Sequence, residues 1–273
     1  MFTCGWFSSG RGQGSIDLLT TAHRKMADGF IPGGIAYVFC DRGPGETPAA
    51  DRFHGVVRSL GLPLVTLSSL DLRQKIRQKS PEAEQARRDF DRQVVELLAG
   101  YETPVAVLAG YMLVLSPLLC QRFLCLNLHP AVPGGPQGTW RQVMWQLMET
   151  DAREAGAMLH LATPVLDMGP AVTHCHFSLR GPGFDSFWEA YRQKRRSRSQ
   201  GEIRAQEGDQ EPLFAYIRTQ ELRREFPLIL LTLKNLAVGT LMLTAAGVEA
   251  NGRLVPGGFD ITDQVEAYLQ AGQ

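Results

Sequence analysis

Leu124-Cys125-Leu126-Asn127-Leu128-His129-Pro130 alternates leucine with Cys, Asn and His before it stops at a proline. A strand points successive side chains to opposite faces, so Leu124, Leu126 and Leu128 share one face. Asn127 and His129 then leave together from the other face, at the strand's carboxyl end. Pro130 has no N–H to give to a ladder and closes the strand. Ligands of open α/β sheets bind at the carboxyl ends of strands. A lone histidine there reads as a polar strand end with a local partner. An amide and an imidazole placed together point to a site.

The flanking sequence supplies the sheet that such a strand needs. Before residue 124, strand and helix signals alternate. Phe2–Ser8 reads as a strand, followed by a glycine-rich turn and a helix with Leu18, Leu19, Ala22 and Met26 at helical spacing. Residues 35–41 and 63–67 read as strands, with a helix over 52–60 that ends at Gly61. Ser80-Pro81 starts a further helix that buries Phe90, Val94, Leu97 and Leu98, and residues 105–109 form the next strand. This alternation predicts an α/β fold, a Rossmann-like, doubly wound and mostly parallel sheet.

Beyond His129 the pattern changes. Residues 131–139 are Pro- and Gly-rich and read as a loop, and Trp140, Val143, Met144 and Leu147 mark a helix. Residues 157–163 and 171–179 read as strands joined by a loop that carries Asp167. The polar stretch 202–211 reads as a mobile connection. Residues 214–233 read as a helix kinked or broken at Pro227. Asn251-Gly252, between strand-like residues, signals a tight hairpin. The expected organisation is a body of residues 1–237 with a variable insert at 181–211. Residues 238–273 then form a C-terminal helix and β-hairpin extension packed on it.

Composition narrows the function classes. The chain has 28 basic and 28 acidic residues, so no net field attracts nucleic acid or a membrane surface. Its five cysteines are odd in number and lack metal-site spacing, which suggests reduced thiols in a cytoplasmic protein. No basic stretch followed by a long apolar core marks a leader. The long apolar run 104–119 is broken by Gly110 and Pro117, so no membrane span is expected.

Other residues carry weaker signals. Ser8-Ser9-Gly10-Arg11-Gly12-Gln13-Gly14-Ser15, between the first strand and first helix, has the composition of a phosphate cradle. Its glycine spacing is neither a Walker A sequence nor a full dinucleotide fingerprint, and a plain tight turn reads equally well. His160, flanked by apolar residues, reads as a satisfied core histidine. Asp167, before Gly169-Pro170, is also a common turn residue. His174-Cys175-His176 puts two histidines on one face with no carboxylate expected nearby, so no metal is expected. The run from Lys194 to Arg198 reads as a solvated helix end.

Together these segments resemble the folate-dependent formyltransferases, and within them the branch that formylates 5-phosphoribosylglycinamide. The resemblance rests on several segments: Ser9-Gly10-Arg11-Gly12, Val107 to Pro117, Asn127-Leu128-His129-Pro130, Leu166-Asp167-Met168-Gly169-Pro170 and Thr219-Gln220-Glu221. It implies Asn127, His129 and Asp167 as the catalytic residues. It also implies 10-formyltetrahydrofolate as formyl donor and no metal. Gly12, Gln13 and Gly14 would hold the ribose phosphate, and Glu221 the amine. Met112, Leu113, Val114 and Leu115 would line the pterin pocket, with Arg87 at the ligand. Leu113 stands where that family often has arginine, and Met168 where glycine is usual. The implied partners are small molecules, with no nucleic acid or membrane, and the resemblance admits a homodimer. Formylation of another amine, such as a nucleotide amino sugar, would use the same trio. A non-catalytic folate or nucleotide binder would not need it.

In this chemistry an amine attacks the formyl carbon and charge develops on the formyl oxygen. Donors fixed at that oxygen are the largest available catalytic effect. Asn127 offers a neutral N–H and an imidazolium at His129 a charged one. A carboxylate beside the ring favours that cation, and Asp167 is the candidate.

Overall fold

The leucine alternation of residues 124–129 forms strand β5 (Leu124–His129) in a computed structural model that describes residues 1–272. β5 sits inside an eight-stranded sheet. On one side run β4 (Val105–Leu108), β1 (Phe2–Ser8), β2 (Gly33–Cys40) and β3 (Leu64–Thr66), all parallel to it. On the other side β6 (Glu154–Leu161) and β7 (Ala171–Ser178) pair antiparallel, and β11 (Phe259–Asp260) closes the edge parallel to β7. The sheet is mostly parallel, as the alternation predicts. β6 and β7 are joined by a loop alone, whereas β5 reaches its antiparallel neighbour β6 through the helix of residues 140–149.

Helices cover both faces. α1 (Gln13–Ala27) and α2 (Pro48–Ser59) bury Leu18, Leu19, Ala22, Phe53 and Val57 against one face, with Trp6 and Val38 from the sheet. Across the sheet, α3 (Leu70–Arg77), α4 (Ala83–Leu97) and α5 (Pro117–Arg122) contribute Leu72, Phe90, Val94 and Leu119 to an aromatic core around Phe7, Tyr37 and Phe39. α3 was not foreseen from the sequence. α4 begins at Ala83, later than the Ser80-Pro81 signal, because Ser80 Oγ accepts from Glu82 N in a turn before the helix.

Two expectations after β7 are corrected. Residues 202–211 are not a loose connection. α7 (Asp185–Arg195) and α8 (Gln200–Glu207) pack there around Trp188, Tyr191 and Ile203, next to α6 (Trp140–Glu149). Ser199 and Glu202 form a capping box, in which Glu202 N donates to Ser199 Oγ at 3.2 Å and Ser199 N donates to the Glu202 carboxylate at 2.7 Å. Lys194 joins Glu207 and Glu211, and Glu211 caps the next helix by accepting from Phe214 N.

That helix, α9 (Pro212–Ala237), continues through Pro227 without a break. Proline leaves one carbonyl in the preceding turn unpaired. Burial of Leu228, Ile229, Leu230, Leu231 and Leu233 in the main core holds the second half in place. The hairpin at Asn251-Gly252 forms as read, both residues having positive φ, between β9 (Gly247–Ala250) and β10 (Arg253–Leu254). β8 (Leu241–Thr244) completes that small sheet, and α10 (Thr262–Ala271) follows β11. No helix among the described residues is long and apolar enough to cross a membrane.

The capping box is testable because its partners are exposed. Ser199→Ala should lower the unfolding free energy by about 1 kcal/mol, read as a shift of the urea midpoint at constant slope. An unchanged midpoint would mean that α8 contributes no folding stability through its cap.

Candidate active site

The β5–β6 pairing builds the site. Asn127 lies opposite His160 and His129 opposite Met158, so Asn127, His129 and His160 share one face of the sheet. His160 is buried, and its Nδ1 lies 3.0 Å from its neighbour's carbonyl, Leu161 O. A carbonyl can only accept, so Nδ1 carries the proton and Nε2 is left as an acceptor. Burial shifts this ring further toward its neutral form. Asn127 Nδ2 stands 3.0 Å from that Nε2 and therefore donates to it. One N–H of the Asn127 amide is fixed by His160, and the second remains for a ligand. His160 is thus buried and satisfied, as expected, but its partner is the site amide. The β5–β6 antiparallel register, not visible in either strand alone, carries that information.

Asp167 stands between the two imidazoles. Its Oδ2 is 3.7 Å from His129 Nδ1 and its Oδ1 is 3.7 Å from His160 Nε2. The other His129 nitrogen, Nε2, donates to Pro136 O at 3.0 Å. Both neighbours of the His129 ring, the Pro136 carbonyl and the Asp167 carboxylate, are acceptors. Asp167 itself adopts a left-handed φ of 56°, a conformation Asp tolerates better than most residues. Gly169 makes the turn possible, because a Cβ there would overlap the Leu161 carbonyl oxygen. Met168 is exposed and accepts a contact from Gln137 Nε2 through its sulfur.

Two cavities meet at Asn127. The first, about 340 Å³, is walled by Tyr111, Met112, Leu113, Val114 and Leu115 and reaches His160 and Asp167. That wall is tied at both ends: Met112 N donates to Ser9 Oγ at 3.1 Å, and Ser116 N to the buried Asp91 Oδ2 at 2.6 Å. The second, about 490 Å³, runs from Gly14 and Ser15 past Asn127 to Arg218 and Glu225 on α9. Gly12 starts α1 with no side-chain cap, which leaves backbone N–H groups of the first turn for an anion. A smaller recess joins His129 and Asp167 to Arg218 and Glu225. Leu113 brings no charge to the first cavity, and Arg87 does not line it. The Arg87 guanidinium is held on α4 by Glu84 at 2.8 Å.

The sequence reading passed over Arg218 and Glu225. Arg218 binds Glu221 at 2.8 Å and Glu225, and its guanidinium lies 4.8 Å from the centre of the Trp140 ring. Burial opposes the Arg218 charge, yet Glu225 and Glu221 more than offset it and hold the group above its ordinary range. Glu221 lies beneath Arg218, fully buried, with Oε1 unpartnered. Burial pushes its carboxyl up to about 8, with Arg218 pulling the other way. The carboxylate on the cavity wall is Glu225. Helical spacing could have found it, since residues 218, 221 and 225 share one face of α9.

Residues 67–178, from the loop after β3 to the end of β7, match the formyl transferase family model. Over that segment the chain is similar to the formyl transferases. Phosphoribosylglycinamide formyltransferase of Escherichia coli K12 is 32% identical over 89 residues, which cover 32% of this chain and 41% of that protein. The chain therefore matches about two-fifths of that curated relative's length. Two solved structures share the fold over nearly the whole chain. Glycinamide ribonucleotide transformylase 1 of Symbiobacterium toebii is 20% identical with a TM-score of 0.60, covering 92% of this chain and 94% of that one. Phosphoribosylglycinamide formyltransferase of Coxiella burnetii is 17% identical with a TM-score of 0.61, covering 95% and 98%. Formyltetrahydrofolate deformylase of Burkholderia mallei has the same fold at 16% identity and a TM-score of 0.56, covering 91% of this chain and 69% of its own. The matched residues 67–178 contain Asn127, His129, His160 and Asp167, whereas Gly12 to Gly14 and α9 lie outside them.

Two outcomes follow for this region. Gly169→Ala should displace the Asp167 turn and cost about 1–3 kcal/mol, seen as a lowered denaturant midpoint. A midpoint equal to wild type would refute the close approach to Leu161. Glu221 gives a pH signature. Its folded value, raised to about 8 from 4.5, means the folded chain holds this proton more tightly than the unfolded chain. Its contribution is complete below pH 4.5 and is lost as pH rises through 8. Glu221→Gln should flatten the stability profile over that window, and a profile of unchanged slope would refute the assignment.

Proposed function

We propose that the chain transfers a formyl group from 10-formyltetrahydrofolate to the amine of 5-phosphoribosylglycinamide, a step of purine biosynthesis. One observation carries this reading. Asn127, His129 and Asp167 stand where an apolar cavity meets a second cavity with a helix N-terminus in its wall. The apolar cavity suits a flat pterin, with Met112, Leu113, Val114 and Leu115 against the ring. The ribose phosphate fits Gly12, Gln13 and Gly14 at the start of α1, where no side chain competes for the N–H groups. Glu225, held by Arg218, orients the amine from the opposite wall, and Glu221 acts through Arg218. Five free thiols, four of them buried, suit a reducing, cytoplasmic setting.

The chemistry then follows from charge. The amine lone pair attacks the formyl carbon, a C–N bond forms, and the formyl oxygen becomes an oxyanion. The free N–H of Asn127 and an imidazolium at His129 stabilise that oxygen. Asp167 supports the imidazolium and takes up the amine's proton through water. The bond from the formyl carbon to the folate nitrogen breaks, and His129 protonates that nitrogen. His129 performs this step by exchanging its bond to Pro136 O for the substrate.

The test is direct. Incubation with 10-formyltetrahydrofolate and phosphoribosylglycinamide should yield tetrahydrofolate and the formylated amine, identified by mass. Transfer to an amino-sugar nucleotide alone would replace the acceptor, and formate release without any amine would replace transfer by hydrolysis. His129→Ala should lower kcat by about 10²- to 10⁴-fold while folate affinity stays near wild type. Loss of folate binding in that variant would make His129 structural.

A further inference from the structure

The histidine pair set aside in the sequence acquires a carboxylate in the fold. His174 and His176 lie two residues apart on β7 and leave the same face of the sheet. β11 runs alongside with Asp260 paired to His174. One ligand atom from each of the three residues falls within 4.8 Å of the other two. The expectation that no carboxylate lies near is corrected, because Asp260 arrives from a strand far along the chain.

The local bonding leaves this group poised for a ligand. Asp260 Oδ1 accepts from Thr262 N at 2.8 Å and from the Thr262 hydroxyl at 2.6 Å, at the start of α10. Its other oxygen, Oδ2, faces His176 Nδ1 at 3.6 Å. That nitrogen is also 3.1 Å from Thr262 Oγ1. His174 Nδ1 is buried with no hydrogen-bond partner, a costly arrangement for a polar atom. Thr262 alone accounts for the Asp260 carboxylate, but it leaves His174 unexplained.

We propose that His174, His176 and Asp260 bind a divalent transition-metal ion, with one ring nitrogen from each histidine, one carboxylate oxygen, and water completing the shell. Two imidazoles and a carboxylate select zinc, nickel or copper over magnesium or calcium, which prefer oxygen alone. Zinc with bonds of about 2.0–2.2 Å draws its ligand atoms to roughly 3.4 Å apart. Rotation of the exposed Asp260 side chain closes the difference. The ion would pin β11, a two-residue edge strand, to β7 and so anchor α10. The site lies two strands from His129 in the same register row, about 10 Å across the sheet, and is independent of the formyl-transfer reading.

The experiment uses the full chain without a histidine tag, stripped of metal and titrated with zinc. Calorimetry should show one zinc per chain, and zinc should raise the melting midpoint. Asp260→Asn keeps an acceptor for Thr262, and its fold can be verified by circular dichroism. That variant and His176→Ala should each weaken zinc binding by at least about tenfold and lose the melting shift. Absence of both heat and shift in the wild type, or wild-type zinc affinity retained in both variants, would overturn the site.

Discussion

The antiparallel register of β5 against β6 is the constraint on which the site depends. Leu126 and Leu128 face Leu161 and Leu159, and these leucines belong to or pack on the main core. Burying them forces Asn127, His129 and His160 onto the opposite face. A slip of one residue would send the leucines to the cavity and the polar groups into the core. The apolar core therefore enforces the placement of the chemistry. The same pairing hands β6 on to β7, and thereby carries His174 into the row of His129.

Support for the carboxylate comes from a different source. Asp167 is held by a turn, and its place is secured by the tight passage of Gly169 over Leu161. Asn127 is oriented by a hydrogen bond, His129 by the Pro136 carbonyl, and Asp167 by backbone shape. Three independent supports leave little freedom for the trio to rearrange. The exception is the His129 contact with Pro136, in the Pro- and Gly-rich loop, and this is the contact that the proposed chemistry requires to change.

Local order was legible in the sequence wherever one element carried its own signal. Phe2–Ser8, the buried face of α1 and the Asn251-Gly252 turn all follow from short-range rules. α8 carries a legible capping box at Ser199 and Glu202, but its low apolar content and single buried Ile203 give no stripe to mark a helix. Of the candidate site, Asn127 and His129 were readable from alternation. The link between Asn127 and His160 and the approach of Asp260 to His174 depend on neighbouring strands. No window of sequence contains those neighbours.

The free cysteines are distributed with unintended use. β1, β2, β5 and β7 each hold one buried thiol, at Cys4, Cys40, Cys125 and Cys175. Burial pushes Cys4, Cys40 and Cys175 up to about 12 and Cys125 well above its ordinary range, so almost no thiolate exists in the folded sheet. Alkylating reagents act on thiolate, and each of these sulfurs stays silent until its own strand opens. The sheet thus contains four built-in reporters, and mapping which cysteine labels first would give the order in which its strands come apart.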